Sequence, residues 1–218
     1  MSVVQTIYYK EKDDESMNPN DTLQIVFMIL HRILDYTKDL KEKTPSIFDH
    51  HHSQDNNKSS HSISYSDSSS NSDVCCELDK YDIEDYIILS YKKLGFSTNL
   101  LILTMMNLDK LLANNFILTS ENVHKVFFLC MMETQKYYDD EFFKNKDYSK
   151  VSGISTKELL ELELEFLNNI NFNIFIKDDD YIQYKQKLQA LCQKQIIISN
   201  NYIQNEDEYE YEETDDSY

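Results

Sequence analysis

This sequence predicts an all-α fold: one helical bundle with an extra helix at its N-terminal end and another at its C-terminal end. Three observations carry that reading. Only 2 Gly and 2 Pro occur in 218 residues, too few for a turn-rich β protein. Apolar residues recur at helical spacing in six stretches. Strand-like alternation is confined to the brief Asn171–Ile176 segment. With 41% hydrophobic residues there is material for one core, and the length leaves room for one domain plus tails.

Residues 1–20 are polar and read as a flexible N-terminus. Asp21, with Gln24 three residues on, suggests the cap of a strongly apolar helix over about 22–40, containing Ile25 to Leu30, Ile33 and Leu34. Pro45 breaks any helix, and residues 41–79 read as a disordered insertion whose Ser-rich part, 53–74, has too little apolar surface to offset its ordering entropy. Phosphorylation of its serines, near Asp67 and Asp73, and an inert solvated loop both fit that part. A helix over 81–94 is ended by Gly95, and another over 98–114 places Leu101, Leu108, Leu111 and Leu112 towards one side. Thr119 or Ser120 suggests the cap of a helix over about 120–138. Ser155 and Glu158 form a capping-box pattern for one over about 156–170. A last helix over about 179–197 carries Tyr181, Tyr184, Leu188, Leu191 and Cys192. Residues 200–218 read as an acidic disordered tail, so the domain proper spans 21–199.

Two of these helices hold the informative residues. Val126 to Met132 is apolar in every direction of the helical wheel, which predicts the axis of the bundle. Lys136 follows one turn later, where the macrodipole favours a cation. On the helix after Ser155, Leu159, Leu162, Phe166 and Ile170 share a face that Leu160, Leu164 and Leu167 widen to one side. Glu163 falls between these groups, about 40° from Leu159. A carboxylate at a core edge is costly unless paired or hydrogen-bonded, and Lys136 is a plausible partner. Spacing leaves open whether such a pair serves stability or recognition.

The formal charge of −18 argues against direct nucleic-acid binding. Eight acids in 205–218 account for −8 of it, leaving −10 elsewhere. The tail's charge suits solubility or a basic partner. Cys75 and Cys76 are adjacent, Cys130 and Cys192 lie among apolar residues, and no C-x-x-C pair occurs, which fits a reducing compartment. The start has no leader pattern, and the longest apolar run, Val126–Met132, is far short of the roughly 20 residues that span a bilayer. No membrane association is expected, and the expected location is nucleus and/or cytoplasm. Asp49 with His50, His51 and His52 lacks metal-ligand spacing, and no catalytic motif or cofactor loop is present.

The order of several short elements resembles the cyclins, in particular their P/U-type branch. Asn122-Val123-His124-Lys125 is followed by Thr134-Gln135-Lys136, Asp139-Asp140, Phe143-Lys144-Asn145, Tyr148 to Ser155, Leu162-Glu163, and Phe166-Leu167 with Phe172. Asp82 to Tyr86 and Leu108 to Leu112 are similar to parts of the first two cyclin-box helices. The likeness covers about 22–190. It implies a non-enzymatic subunit that binds and activates a cyclin-dependent protein kinase, with no cofactor. It further implies that Lys136 and Glu163 pair on the kinase-binding face and that binding holds the kinase's mobile helix inward. Asp139 and Asp140 stand where they either meet the kinase's arginine cluster or remain solvated loop acids. Departures from the family pattern are Leu89 for Arg, which removes the expected partner of Asp109, then Lys110 and Lys125 for Arg, Thr134 for Ala, Ser152 for Gly and Leu160 for Asn. A cyclin-box scaffold without a kinase is the second class of function considered.

Overall fold

The computed structural model describes residues 17–38 and 81–209, with residues 195–209 as backbone only. The expected flexible N-terminus before residue 17, the whole 41–79 insertion with its histidines and serines, and the tail from residue 210 lie outside the described residues. Within them are seven helices and no strand: α1 (Pro19–Thr37), α2 (Ile83–Lys93), α3 (Thr98–Ala113), α4 (Val123–Tyr138), α5 (Asn145–Ser152), α6 (Thr156–Asn169) and α7 (Asp178–Tyr209).

Helix α4 is the axis that its composition predicts. Every side chain from Val126 to Met132 is fully buried. Helices α3, α2, α6 and α5 pack around it, and α1 and α7 close over the far side of α3. Cross-links between elements are polar and specific. Asn107 on α3 donates to Thr134 Oγ1 at 2.9 Å, so the Thr that replaces the family's Ala gives α3 and α4 a buried hydrogen bond. Lys125 on α4 pairs with Glu158 on α6 at 2.9 Å.

The ends of the helices differ from the expectation where local chemistry offered a better cap. Helix α1 starts at Pro19, not after Asp21. Asn18 accepts from the Asn20 amide at 3.0 Å, and Pro19 is already held at a helical φ. Asp21 instead occupies the first turn, where the helix dipole favours it. Before α4, neither Thr119 nor Ser120 is the cap. Asn122 is the N-cap residue, and its side chain locks the preceding turn by accepting from Thr119 N (2.8 Å) and donating to Ile117 O (3.1 Å). Ser155 caps α6 as expected, accepting from Glu158 N at 3.2 Å. Helix α7 continues to Tyr209, ten residues into the stretch read as a disordered tail, because no Gly or Pro interrupts it. Helix α5 was not anticipated; it is one of the pieces that position the site.

Asn171–Ile176 is an extended loop, not a strand. Asn171 and Phe172 both have positive φ (53° and 55°), a costly conformation for a bulky side chain. The loop is clasped from behind. The three N–H groups of the Lys110 ammonium match the carbonyls of Asn173, Ile174 and Phe175, each at 2.9 Å. Burial lowers the Lys110 pKa to about 8. Tyr138 adds a donated bond to Ile174 O (3.2 Å) and accepts from Ile176 N (2.8 Å). Asp109, lacking the family's arginine partner, accepts from the Tyr184 hydroxyl on α7 at 2.8 Å.

Gly95 follows the last residue of the α2 cap with φ +62°, and a Cβ there meets nothing within 4 Å. Gly95→Ala should therefore destabilise through backbone strain alone, by about 1 kcal/mol, with Gly95→Asn costing less. Urea denaturation of the three proteins checks this; a large loss, comparable to a core cavity, would contradict a purely conformational cost.

Candidate partner-binding site

The site begins where α4 stops being apolar. After Met132 come Glu133, Thr134 and Gln135, all buried, then Lys136 in the last turn. Lys136 Nζ reaches Glu163 Oε1 on α6 at 2.7 Å. The pair suggested by the wheel and by the family likeness is thus formed. Its partners are only about one-fifth exposed (18% and 21%), so it is a rim pair, not a solvated one. The second Glu163 oxygen accepts from Asn145 Nδ2 at 2.8 Å. Asn145 is the first residue of α5, so the short helix carries the third member of the constellation.

Tyr148, one turn further along α5, fastens that helix down. Its ring is wholly buried, its hydroxyl donates to Gln135 Oε1 (3.0 Å) and accepts from Phe143 N (3.4 Å). Gln135 in turn donates to Leu94 O at 3.0 Å. The Lys136 ammonium lies 5.7 Å from the Tyr148 ring centroid, within cation–π range. Burial raises the Tyr148 pKa, so the phenol stays protonated and able to donate. Gly153, at φ +75°, ends α5 and lets the chain turn directly into α6.

Glu133 is the residue that sequence reading missed. Its carboxylate lies one turn before Lys136, with Oε1 3.5 Å from Nζ. That is an ion-pair contact but not a hydrogen bond, and Oε1 has no hydrogen-bond partner. Desolvation, partly opposed by Lys136 and reinforced by Glu163, raises the Glu133 pKa to about 7. An acid immediately after an all-round apolar run was the available signal for a buried charge.

The two aspartates have different situations. Asp139 is the C-cap residue of α4, half-buried, and accepts from Glu141 N (3.2 Å) and Gln135 Nε2 (3.5 Å). It holds the turn that leaves α4. Asp140 is exposed beside it. The expected widening of the α6 apolar face fails: Leu160 and Leu164 are more than half exposed and Leu167 is half-buried. Leu160 and Leu164 lie on a side of α6 left exposed among the described residues, whereas Leu167 packs against the core. Glu163 sits on the boundary between the buried face and this strip. Phe172, whose amide donates to Leu167 O at 2.7 Å, is a further large exposed side chain, as are Phe142 and Tyr137. Exposed apolar side chains on the helix that carries one half of a partly desolvated ion pair suit a protein-binding surface.

The described residues form one all-helical module. Comparison with known proteins gives its family: a family model described as Cyclin matches residues 20–174, and the chain belongs to the cyclins. Among curated relatives, Cyclin-U4-1 of Arabidopsis thaliana is 30% identical over 121 residues, covering 53% of this chain and 60% of that protein. Cyclin-P3-1 of Oryza sativa subsp. japonica is 31% identical over 87 residues (40% and 36%). PHO85 cyclin-6 of Saccharomyces cerevisiae is 32% identical over 89 residues (38% and 21%). The chain thus spans about half to 60% of the length of the plant cyclins it matches first. These relatives agree with the P/U-type likeness.

The raised Glu133 pKa has a consequence for stability. The folded state holds the proton more tightly than the unfolded chain. The stabilisation is fully present below the ordinary glutamate range near 4.5 and is lost as pH rises through about 7. Glu133→Gln removes the titration, so its stability relative to wild type should rise between pH 4.5 and 8 by on the order of 3 kcal/mol. Thermal or urea unfolding across that range measures it; a difference independent of pH would show that Glu133 titrates normally.

Proposed function

We propose that this chain is the regulatory subunit of a cyclin-dependent protein kinase, binding and activating it without doing chemistry of its own. The observation that carries the reading is the Lys136–Glu163 pair, 2.7 Å long, set at the edge of the exposed Leu160–Leu164 strip. A partner helix laid along that strip gains apolar burial from the leucines and Phe172, and meets backbone-directed donors and acceptors from Lys136 and Glu163. Activation then follows from differential affinity: a subunit that binds the inward position of a kinase helix better than the outward one shifts the population towards it. Two of the relatives are named as cyclins of PHO85, which supports a PHO85-type kinase as the partner class.

The same reading places the protein in the nucleus and/or cytoplasm, acting on no nucleic acid and no membrane. No helix among the described residues is long and apolar enough to cross a membrane, and no group of three or more His, Cys, Asp or Glu there is placed to hold a metal ion. Asp140 belongs to the proposed surface as an exposed acid beyond Lys136, suited to an arginine cluster on the kinase. Asp139 supports it by holding the turn.

A tagged pull-down from the native cell, read by mass spectrometry, tests the reading. Wild type should retain a cyclin-dependent kinase, and Lys136→Ala and Glu163→Ala should each lose at least tenfold of it while keeping their helical circular dichroism. A folded wild-type protein that captures no kinase would favour a cyclin-box scaffold and leave the pair as a stabilising contact. For Asp140, kinase activity should fall in Asp140→Ala when the activation loop carries no phosphate; unchanged activity removes Asp140 from the interface.

A further inference from the structure

At the partner face one cation, Lys136, lies within ion-pair distance of two acids. Lys136 Nζ is 2.7 Å from Glu163 and 3.5 Å from Glu133, so a shift of less than 1 Å exchanges its closer partner. Glu163 is otherwise satisfied by Asn145, whereas the Glu133 Oε1 is buried without a hydrogen bond. The Glu133 side chain is only 5% exposed, too deep for a partner to reach directly. Its effect on binding must therefore pass through Lys136. We infer that Glu133 is a proton-dependent positioning residue of the partner face: as a neutral carboxyl it leaves the Lys136 ammonium to Glu163, and as a carboxylate it competes for that ammonium, so that binding the kinase takes up a proton.

The charge count explains the direction. The groups facing Glu133 are Lys136 and the buried Cys130 thiol on its own helix, Glu163 from α6 and the Tyr148 phenol from α5. Thiol and phenol are neutral in the physiological range. With Glu133 protonated, the cluster of Glu133, Lys136 and Glu163 is neutral; with Glu133 ionised it carries one net negative charge. A partner that covers Lys136 and Glu163 removes the remaining water, and removing water penalises the net charge. The protonated form is therefore the better binder. The midpoint near 7 in the unbound protein puts the change within the range of cellular pH.

This inference rests on the kinase-binding reading above, and the test separates the two. The probe is purified PHO85 of Saccharomyces cerevisiae, titrated against the full chain by calorimetry in buffers of different ionisation heat. Wild-type affinity should weaken about three- to fivefold between pH 6.5 and 8, with net proton uptake near pH 7. Glu133→Gln should abolish both the slope and the uptake. Wild-type binding that is flat with pH and releases or takes up no proton, yet is lost in Lys136→Ala, overturns this inference and leaves the kinase reading standing. A Glu133→Gln protein that keeps the wild-type slope overturns it equally. Should that variant fail to fold, proton uptake by the wild type alone decides. No binding by wild type at any pH overturns both readings for this kinase.

Discussion

Seven consecutive side chains of α4, Val126 to Met132, have no contact with solvent, and the rest of the fold follows from that burial. A helix with an apolar stripe needs one neighbour; a helix apolar all round needs a ring of them. Helices α2, α3, α5 and α6 supply the ring, which is why elements far apart in sequence meet at one axis. The chemistry changes abruptly at its C-terminal end. Glu133, Thr134 and Gln135 are as buried as the residues before them, so each needs a polar partner or a penalty. Thr134 has Asn107 and Gln135 has Leu94 O and Tyr148; Glu133 is the member left short.

The site is the continuation of that axis to the surface. Lys136 is the first side chain of α4 after the buried run to escape partly to solvent, and its stem crosses the core while its head meets α6. Glu163 meets it there because it sits on the seam between the buried and exposed faces of α6. A pair that is neither fully solvated nor fully buried suits recognition. It is fixed enough to present donors and acceptors in one geometry, yet still has water to surrender when covered.

Where the chain departs from the family pattern, other contacts take over the structural work. Lys110 binds three successive carbonyls with its three N–H groups and so holds the loop that presents Phe172, a task a point-charge ammonium does well. Asp109 has Tyr184 in place of an arginine, which ties α3 to α7. Thr134 turns a site of close helix packing into a buried hydrogen bond.

Local chemistry was enough to read most of the helices, because apolar spacing, the Ser155 cap and the Gly95 stop each act within a turn or two of the residues concerned. The odd position of Glu163 was visible on the wheel, and the family likeness named Lys136 as its partner. Helix α5 was not legible. Its eight residues are mostly polar, too short to form a helix alone, and it is held by Tyr148 reaching Gln135 and by Asn145 reaching Glu163 across the fold. The exposure of Leu160 and Leu164 was not legible either, since a wheel shows which residues share a face but not whether another helix covers it. Nor was the burial of Glu133, an acid whose surroundings come from α5 and α6. Sequence alone determined six of the seven described helices and which of their residues are apolar, because those depend on neighbours along the chain. Which face stays uncovered, and which acid is trapped beside Lys136, only the tertiary structure decided, because burial is set by segments that meet across the bundle.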